Sequence, residues 1–109
     1  MKLTVDSSEY IVDRENREKA KSFEDLMVWQ KAHELVLEIY RVTKEYPSEE
    51  KFALVSQMRR AAISVAANIA EGFRKRGIRN KLNFYNIAQG SLDELSYYIL
   101  LSKDLHYIQ

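Results

Sequence analysis

The sequence predicts an all-α fold, an antiparallel up-down helical bundle with three long helices in this chain. Three segments carry apolar residues that recur three or four positions apart, the spacing that lines one face of a helix. Only three Gly and one Pro are present, and no Asn-Gly or Asp-Gly pair joins alternating apolar runs. Little chain is left to make the turns of a β fold. A chain of 109 residues with 46% hydrophobic content supports one domain with one modest core.

Residues 1–22 read as a polar N-terminal arm and residues 23–109 as the bundle. Between Asp13 and Lys21 nearly every residue is charged or polar, and Tyr10, Ile11 and Val12 form the one dense apolar group of the arm. The first helix is expected over residues 23–46, with Leu26, Trp29, Ala32, Leu35, Val36, Ile39, Tyr40 and Val42 on its apolar face. Ser22 or Asp25 would cap its start. Pro47 ends it, because a proline disfavours the α region for the residue before it.

The second helix is expected to start at a Ser48 cap, with Glu49 and Glu50 at the positive end of its dipole, and to reach Gly72. Its stripe is Phe52, Val55, Met58, Ala62, Val65, Ile69 and Phe73. Ala61, Ser64, Ala66, Ala67 and Ala70 surround that stripe and suggest close neighbours on more than one face. Gly72 and Gly77 bracket the following turn, and either suits the left-handed conformation that closes a helix. The third helix is expected over residues 80–105, with Phe84, Ile87, Ala88, Ser91, Leu92, Leu95, Tyr98, Ile99 and Leu105 inward. Ser102 interrupts this stripe where an apolar residue is due. Gly90 costs about 1 kcal/mol inside a helix relative to Ala, which a close helix crossing would explain.

Charge divides this chain sharply. Residues 51–81 hold eight basic residues and one acid, Glu71, for a net of +7, while the rest carries −6. A concentrated positive field of this kind attracts polyanions such as nucleic acid. The competing reading is a solvated charged loop, or a patch paired with the acidic remainder.

Other classes are disfavoured. No cysteine is present, so disulfide, thiol and Cys-ligated metal chemistry is excluded, and an intracellular, cytoplasmic protein is expected. No apolar run approaches a membrane span, and the N-terminus lacks the apolar core of a secretory signal. His33 and His106 lack the upstream glutamates of Glu-x-x-His metal pairs, since Gln30 and Lys103 stand there. Nor does either histidine follow an arginine as in HEPN-type helical ribonucleases. No phosphate loop, nucleophile elbow or HExxH occurs. No enzyme activity and no cofactor or metal is expected. Gln57, Asn68, Glu71, Ser91 and Glu94 are expected to form a structural polar network, in preference to Glu71 acting as a base or ligand.

The strings QMRRAAISVAANIAEG at residues 57–72 and AQGSLDEL at residues 88–95 are the most specific parts of a wider pattern over residues 23–108. That pattern resembles the four-helix-bundle family of 23S ribosomal RNA intervening-sequence proteins, which also includes accessory proteins of diversity-generating retroelements. The resemblance implies a bundle that assembles into a ring-like homopentamer with a positively charged surface, and nucleic-acid binding in the retroelement branch. The family's fourth helix has no counterpart before Gln109. Three helices would leave an apolar groove exposed, unless the sequence is truncated, the arm covers the groove or assembly buries it; the arm is too polar to do this well, and self-association is expected in any case.

Together these observations predict a homo-oligomeric, nonspecific binder of RNA or single-stranded DNA. Arg59, Arg60, Arg74, Lys75, Arg76, Arg79 and Lys81 would contact phosphates, with stacking from Tyr85, Tyr97 or Tyr98 where exposed. The alternative is a scaffold that docks an acidic protein partner, such as a reverse transcriptase, with no nucleic-acid role.

Overall fold

A computed structural model describes residues 20–109; most of the expected N-terminal arm, with Tyr10, Ile11 and Val12, lies outside the described residues. Three helices account for the fold: α1 over Met27–Thr43, α2 over Leu54–Arg74 and α3 over Ile78–Asp104. Single 3-10 turns at Phe23–Asp25 and Ser48–Glu50 precede α1 and α2. No strand occurs among the described residues.

Both ends of α1 differ from the sequence expectation for local reasons. Ser22 stands before the 3-10 turn, where the Asp25 carboxylate accepts the backbone N–H groups of Lys21 at 2.9 Å and Ser22 at 3.1 Å. The helix proper then starts after an extended Leu26, with no side-chain cap. At the far end Thr43 turns its hydroxyl back onto the Ile39 carbonyl at 2.6 Å, and the chain leaves the helix before Pro47.

Ser48 does not cap α2. Pro47, at φ −53° and ψ 142°, leads into the 3-10 turn, and Ala53, at φ −120° and ψ −103°, breaks the path again. The α-helix begins at Leu54, after Phe52. This side chain was expected in the core; it is 88% exposed because it precedes the helix whose stripe it would have joined.

The middle helix is the centre of the molecule. α1 and α3 both pack along α2, and their own backbones do not approach one another closely. The small residues of α2 allow this: Ala61, Ala62 and Ala66 are buried, so neighbours sit close on two sides. The molecule is accordingly long and thin, 48 × 27 × 18 Å.

Two clusters make the core. At one end, Leu26, Val28 and Ala32 meet Val65, Ala66 and Ile69 of α2 and Ala88 and Leu92 of α3, with Ala20 and Phe73 against them. At the other, Ile39 and Tyr46 meet Val55, Met58, Ala61 and Ala62 of α2 and Leu95 of α3. Ile69 and Leu95 are fully buried, and truncating a side chain so placed costs about 2 to 5 kcal/mol. Ile87 and Leu105, expected inward on α3, are 44% and 43% exposed. Ser102 is instead fully buried, with its hydroxyl 2.8 Å from the Tyr98 carbonyl and 3.5 Å from Met58 Sδ. Its own helix satisfies the hydroxyl, which is how a polar group occupies a core position at small cost.

The end of α3 is closed by an αL residue. His106 has φ 64°, its N–H donates to the Lys103 carbonyl, and the Tyr107 N–H donates to the Ser102 carbonyl at 2.9 Å. This pair of bonds is a Schellman cap. It turns Tyr107 inward, so that its ring lies 5.1 Å from that of Tyr46 and its hydroxyl donates to Glu50 at 2.8 Å.

No described glycine has positive φ, so neither Gly72 nor Gly77 acts through a left-handed conformation. Gly72 lies within α2 and is buried against α3; Gly77 is the extended residue before α3. Gly90 was expected at a helix crossing. It is exposed, and a Cβ there would meet nothing within 4 Å.

Candidate nucleic-acid interface

The basic segment does not fold into a single patch. Arg59 lies fifteen residues before Arg74 on the same helix, about 22 Å along its axis. Its guanidinium serves the fold: Nε donates to Thr43 Oγ1 at 3.0 Å, Nη2 to the Tyr40 carbonyl at 3.4 Å, and the group lies 4.4 Å from the centre of the Tyr40 ring. A cation is thereby placed against the last turn of α1, where the dipole is negative. Arg60 is exposed near this end, away from the turn.

The turn between α2 and α3 gathers the rest. Arg74 is the last residue of α2, Lys75 and Arg76 form the connection, and Arg79 and Lys81 lie in the first turn of α3. Lys81 reaches back to the end of α2, with Nζ 2.6 Å from the Phe73 carbonyl and 3.2 Å from that of Gly72. Two carbonyls in the last turn of α2 are thus capped by the next helix. Lys75 is half-exposed, with Nζ 3.9 Å from Glu71 Oε2 and 5.1 Å from the Phe84 ring centre.

Arg74, Arg76 and Arg79 are exposed and pair with no carboxylate among the described residues. The first turn of α3 contains no acidic side chain, so the positive end of its dipole adds to their field. Ile78 and Leu82, 75% and 53% exposed, stand beside them. Such a surface offers planar donors to several phosphate oxygens at once.

The tyrosines expected to stack on bases are either packed into the helix seam or distant from this group. Tyr85 packs over Gly72. Tyr97 is 58% exposed, but it stands eighteen residues beyond Arg79, about 27 Å along α3. Tyr98 donates its hydroxyl to Glu94 Oε1 at 2.5 Å, and that bond holds its phenol above the ordinary tyrosine pKa.

The expected polar network is only partly assembled. Ser91 donates to Ser64 Oγ at 2.7 Å, and Asn68 Nδ2 lies 3.0 Å from Ser64 Oγ and 2.8 Å from the Ser64 carbonyl. These three side chains tie α2 to α3. Ser64, read from the sequence only as a small packing residue, is the hub. Glu71 faces solvent beside Lys75, Glu94 pairs with Tyr98, and Gln57 is exposed. His33 is exposed and stacks on Trp29, with ring centres 5.0 Å apart. No group of three or more His, Asp or Glu side chains able to hold a metal occurs among the described residues. No helix among them is long and apolar enough to cross a membrane.

A family model described as 23S rRNA-intervening sequence protein matches residues 24–109, which include all three helices. No curated protein matches the chain.

Proposed function

The chain belongs to the 23S rRNA-intervening sequence protein family, and on that premise we propose that it is a non-enzymatic nucleic-acid-binding protein that works as a homo-oligomer. One observation carries the reading. Arg74, Arg76 and Arg79 converge on the α2–α3 turn without carboxylate partners among the described residues, at a helix start that adds positive potential of its own. Arginines that serve only solubility are commonly interspersed with acids, whereas three clustered at a turn suit a phosphate backbone.

Apolar exposure leaves room for self-association. Leu37 of α1, Ile63 of α2, and Leu82, Ile87 and Leu100 of α3 are each 44% or more exposed, apolar area that an assembly would cover. A cyclic assembly, a pentamer in our reading, would repeat the cationic turn around an axis and raise its field.

A second reading is a scaffold for an acidic protein partner, favoured by Ile78 and Leu82 beside the arginines. A protein would bury those two side chains, whereas a phosphate chain would leave them wet. Binding of RNA and single-stranded DNA at low salt separates the two. Retention of nucleic acid that is lost in an Arg74→Ala, Arg76→Ala, Arg79→Ala triple variant and kept in an Ile78→Ser, Leu82→Ser variant supports the first reading. No retention at low salt would overturn it.

A further inference from the structure

A cavity of about 260 Å³ opens at the corner where α1 hands over to α2, at the end of the molecule away from the arginine turn. Its walls include three cationic side chains, Lys44, Lys51 and Arg59, and no carboxylate among the described residues. Thr43, Tyr46 and Ser48 add hydroxyl-bearing side chains. The acids adjoining it in sequence are turned to other uses or to solvent. Glu45 and Glu49 are exposed and line no part of the cavity, and Glu50 accepts the hydroxyl of Tyr107.

Arg59 is the fixed point of this corner. Thr43 donates its hydroxyl to the Ile39 carbonyl, so its oxygen is oriented to accept from Arg59 Nε. The Tyr40 ring lies against the guanidinium and the Tyr40 carbonyl takes one Nη2 hydrogen. A guanidinium has five N–H donors. Two are used here, and three, including both on Nη1, have no partner among the described residues. Clamping α1 therefore accounts for one edge of the group and leaves the fork for a planar or tetrahedral oxyanion.

Helix clamping gives no reason for the two lysines. Lys44 and Lys51 are exposed, carry no ion pair among the described residues, and share a cavity wall with Arg59 across a proline corner, with the Lys51 ammonium 5.4 Å from the centre of the exposed Phe52 ring. An anion held between three like charges around one hollow would relieve their mutual repulsion. In the same wall stands Tyr46, 7% exposed, whose hydroxyl is buried with no hydrogen-bond partner among the described residues. The volume is below the range of pockets for drug-sized ligands and suits a single phosphate group.

We propose that the α1–α2 corner is a phosphate-binding site, held by Arg59, Lys44 and Lys51, for a phosphate dianion supplied either as inorganic phosphate or as the terminal monoester of a nucleotide. It is separate from the α2–α3 turn and stands or falls independently of it.

Isothermal titration of the full chain at low ionic strength tests the site, with inorganic phosphate, 5′-AMP and adenosine as probes. One equivalent each of phosphate and 5′-AMP should bind per chain, and adenosine should not. AMP that binds at least about tenfold tighter than phosphate identifies a nucleotide terminus as the source, and equal affinities identify the free ion; either outcome supports the site. Arg59→Gln also removes the bond to Thr43, so the exposed lysines carry the decisive variant. A Lys44→Gln, Lys51→Gln protein should melt like the wild type and bind phosphate at least about tenfold more weakly. Arg74→Ala, Arg76→Ala, Arg79→Ala should leave phosphate affinity unchanged. The proposal is overturned by absence of saturation up to about 10 mM phosphate, by equal binding of adenosine, by undiminished binding in the lysine variant, or by loss of binding in the turn variant.

Discussion

Tyr85 lies so close over Gly72 that a Cβ built on the glycine would stand 2.6 Å from Tyr85 Cε1 and 3.1 Å from Phe84 Cβ. The seam between α2 and α3 is closed at this point by the absence of a side chain. Gly72→Ala should therefore force the helices apart and cost about 1 to 3 kcal/mol, despite the better helix propensity of alanine. Gly90→Ala meets open space and should gain about 1 kcal/mol. Thermal denaturation of the two variants should move the midpoint in opposite directions, by roughly 4 °C or more per kcal/mol.

His106 occupies the αL position of the cap that ends α3. A residue with a Cβ is strained there by about 1 to 2 kcal/mol, so His106→Gly should raise stability by about 1 kcal/mol. Urea denaturation provides the measurement. A fall in stability would mean that the imidazole makes a contribution larger than the strain.

Alkaline pH should weaken the fold through two phenols. Tyr98 donates to Glu94 and Tyr107 to Glu50, and in each case the hydrogen bond to a carboxylate, followed by burial and then the nearby charge, raises the phenol above its ordinary value. A raised folded pKa gives stability that is fully present below the unfolded value of about 10. As pH rises past that value the unfolded chain releases its protons first, and the contribution is lost as the folded phenols titrate. Melting midpoints from pH 8 to 11.5 should decline, and the decline should flatten in a Tyr98→Phe, Tyr107→Phe variant.

Nucleic-acid affinity should fall steeply with salt. Each phosphate neutralised on a single strand contributes about 0.7 to the slope of log affinity against log salt. Removing Arg74, Arg76 and Arg79 should therefore flatten that slope by about 2 for each subunit in contact. Filter binding over a salt series measures it. Lys81→Ala should act mainly on stability, because its ammonium caps the carbonyls of Gly72 and Phe73.

The helices were legible because their signal is local. Buried Val55, Met58, Ala62, Val65 and Ile69 recur at helical spacing, and the wealth of alanine around them correctly announced two neighbours for α2. Phe52 misled because its spacing fits the stripe while the non-helical Ala53 after it breaks the phase. The charge cluster was visible as composition, but its division was not. Arg59 is drawn off by Thr43 and Tyr40, sixteen and nineteen residues away, and only tertiary packing brings them together. The corner cavity has no local signature in the sequence for the same reason. Lys44, Lys51 and Arg59 belong to three different stretches of chain, and spacing alone gives no sign that they share a wall. Ser64 gave no more than a small side chain in an alanine-rich helix, since its partner Ser91 lies on another element.

With α2 between them, α1 and α3 share a common neighbour, and their own contact is limited to side chains in the two core clusters. Native-state breathing should then have a direction. α3 shares a longer seam with α2 than α1 does, so α1 can swing away and leave a hairpin that keeps its own closed joint at Gly72. Backbone amides of α1 should exchange with solvent deuterium first, and those in the middle of α2 only when the whole molecule opens.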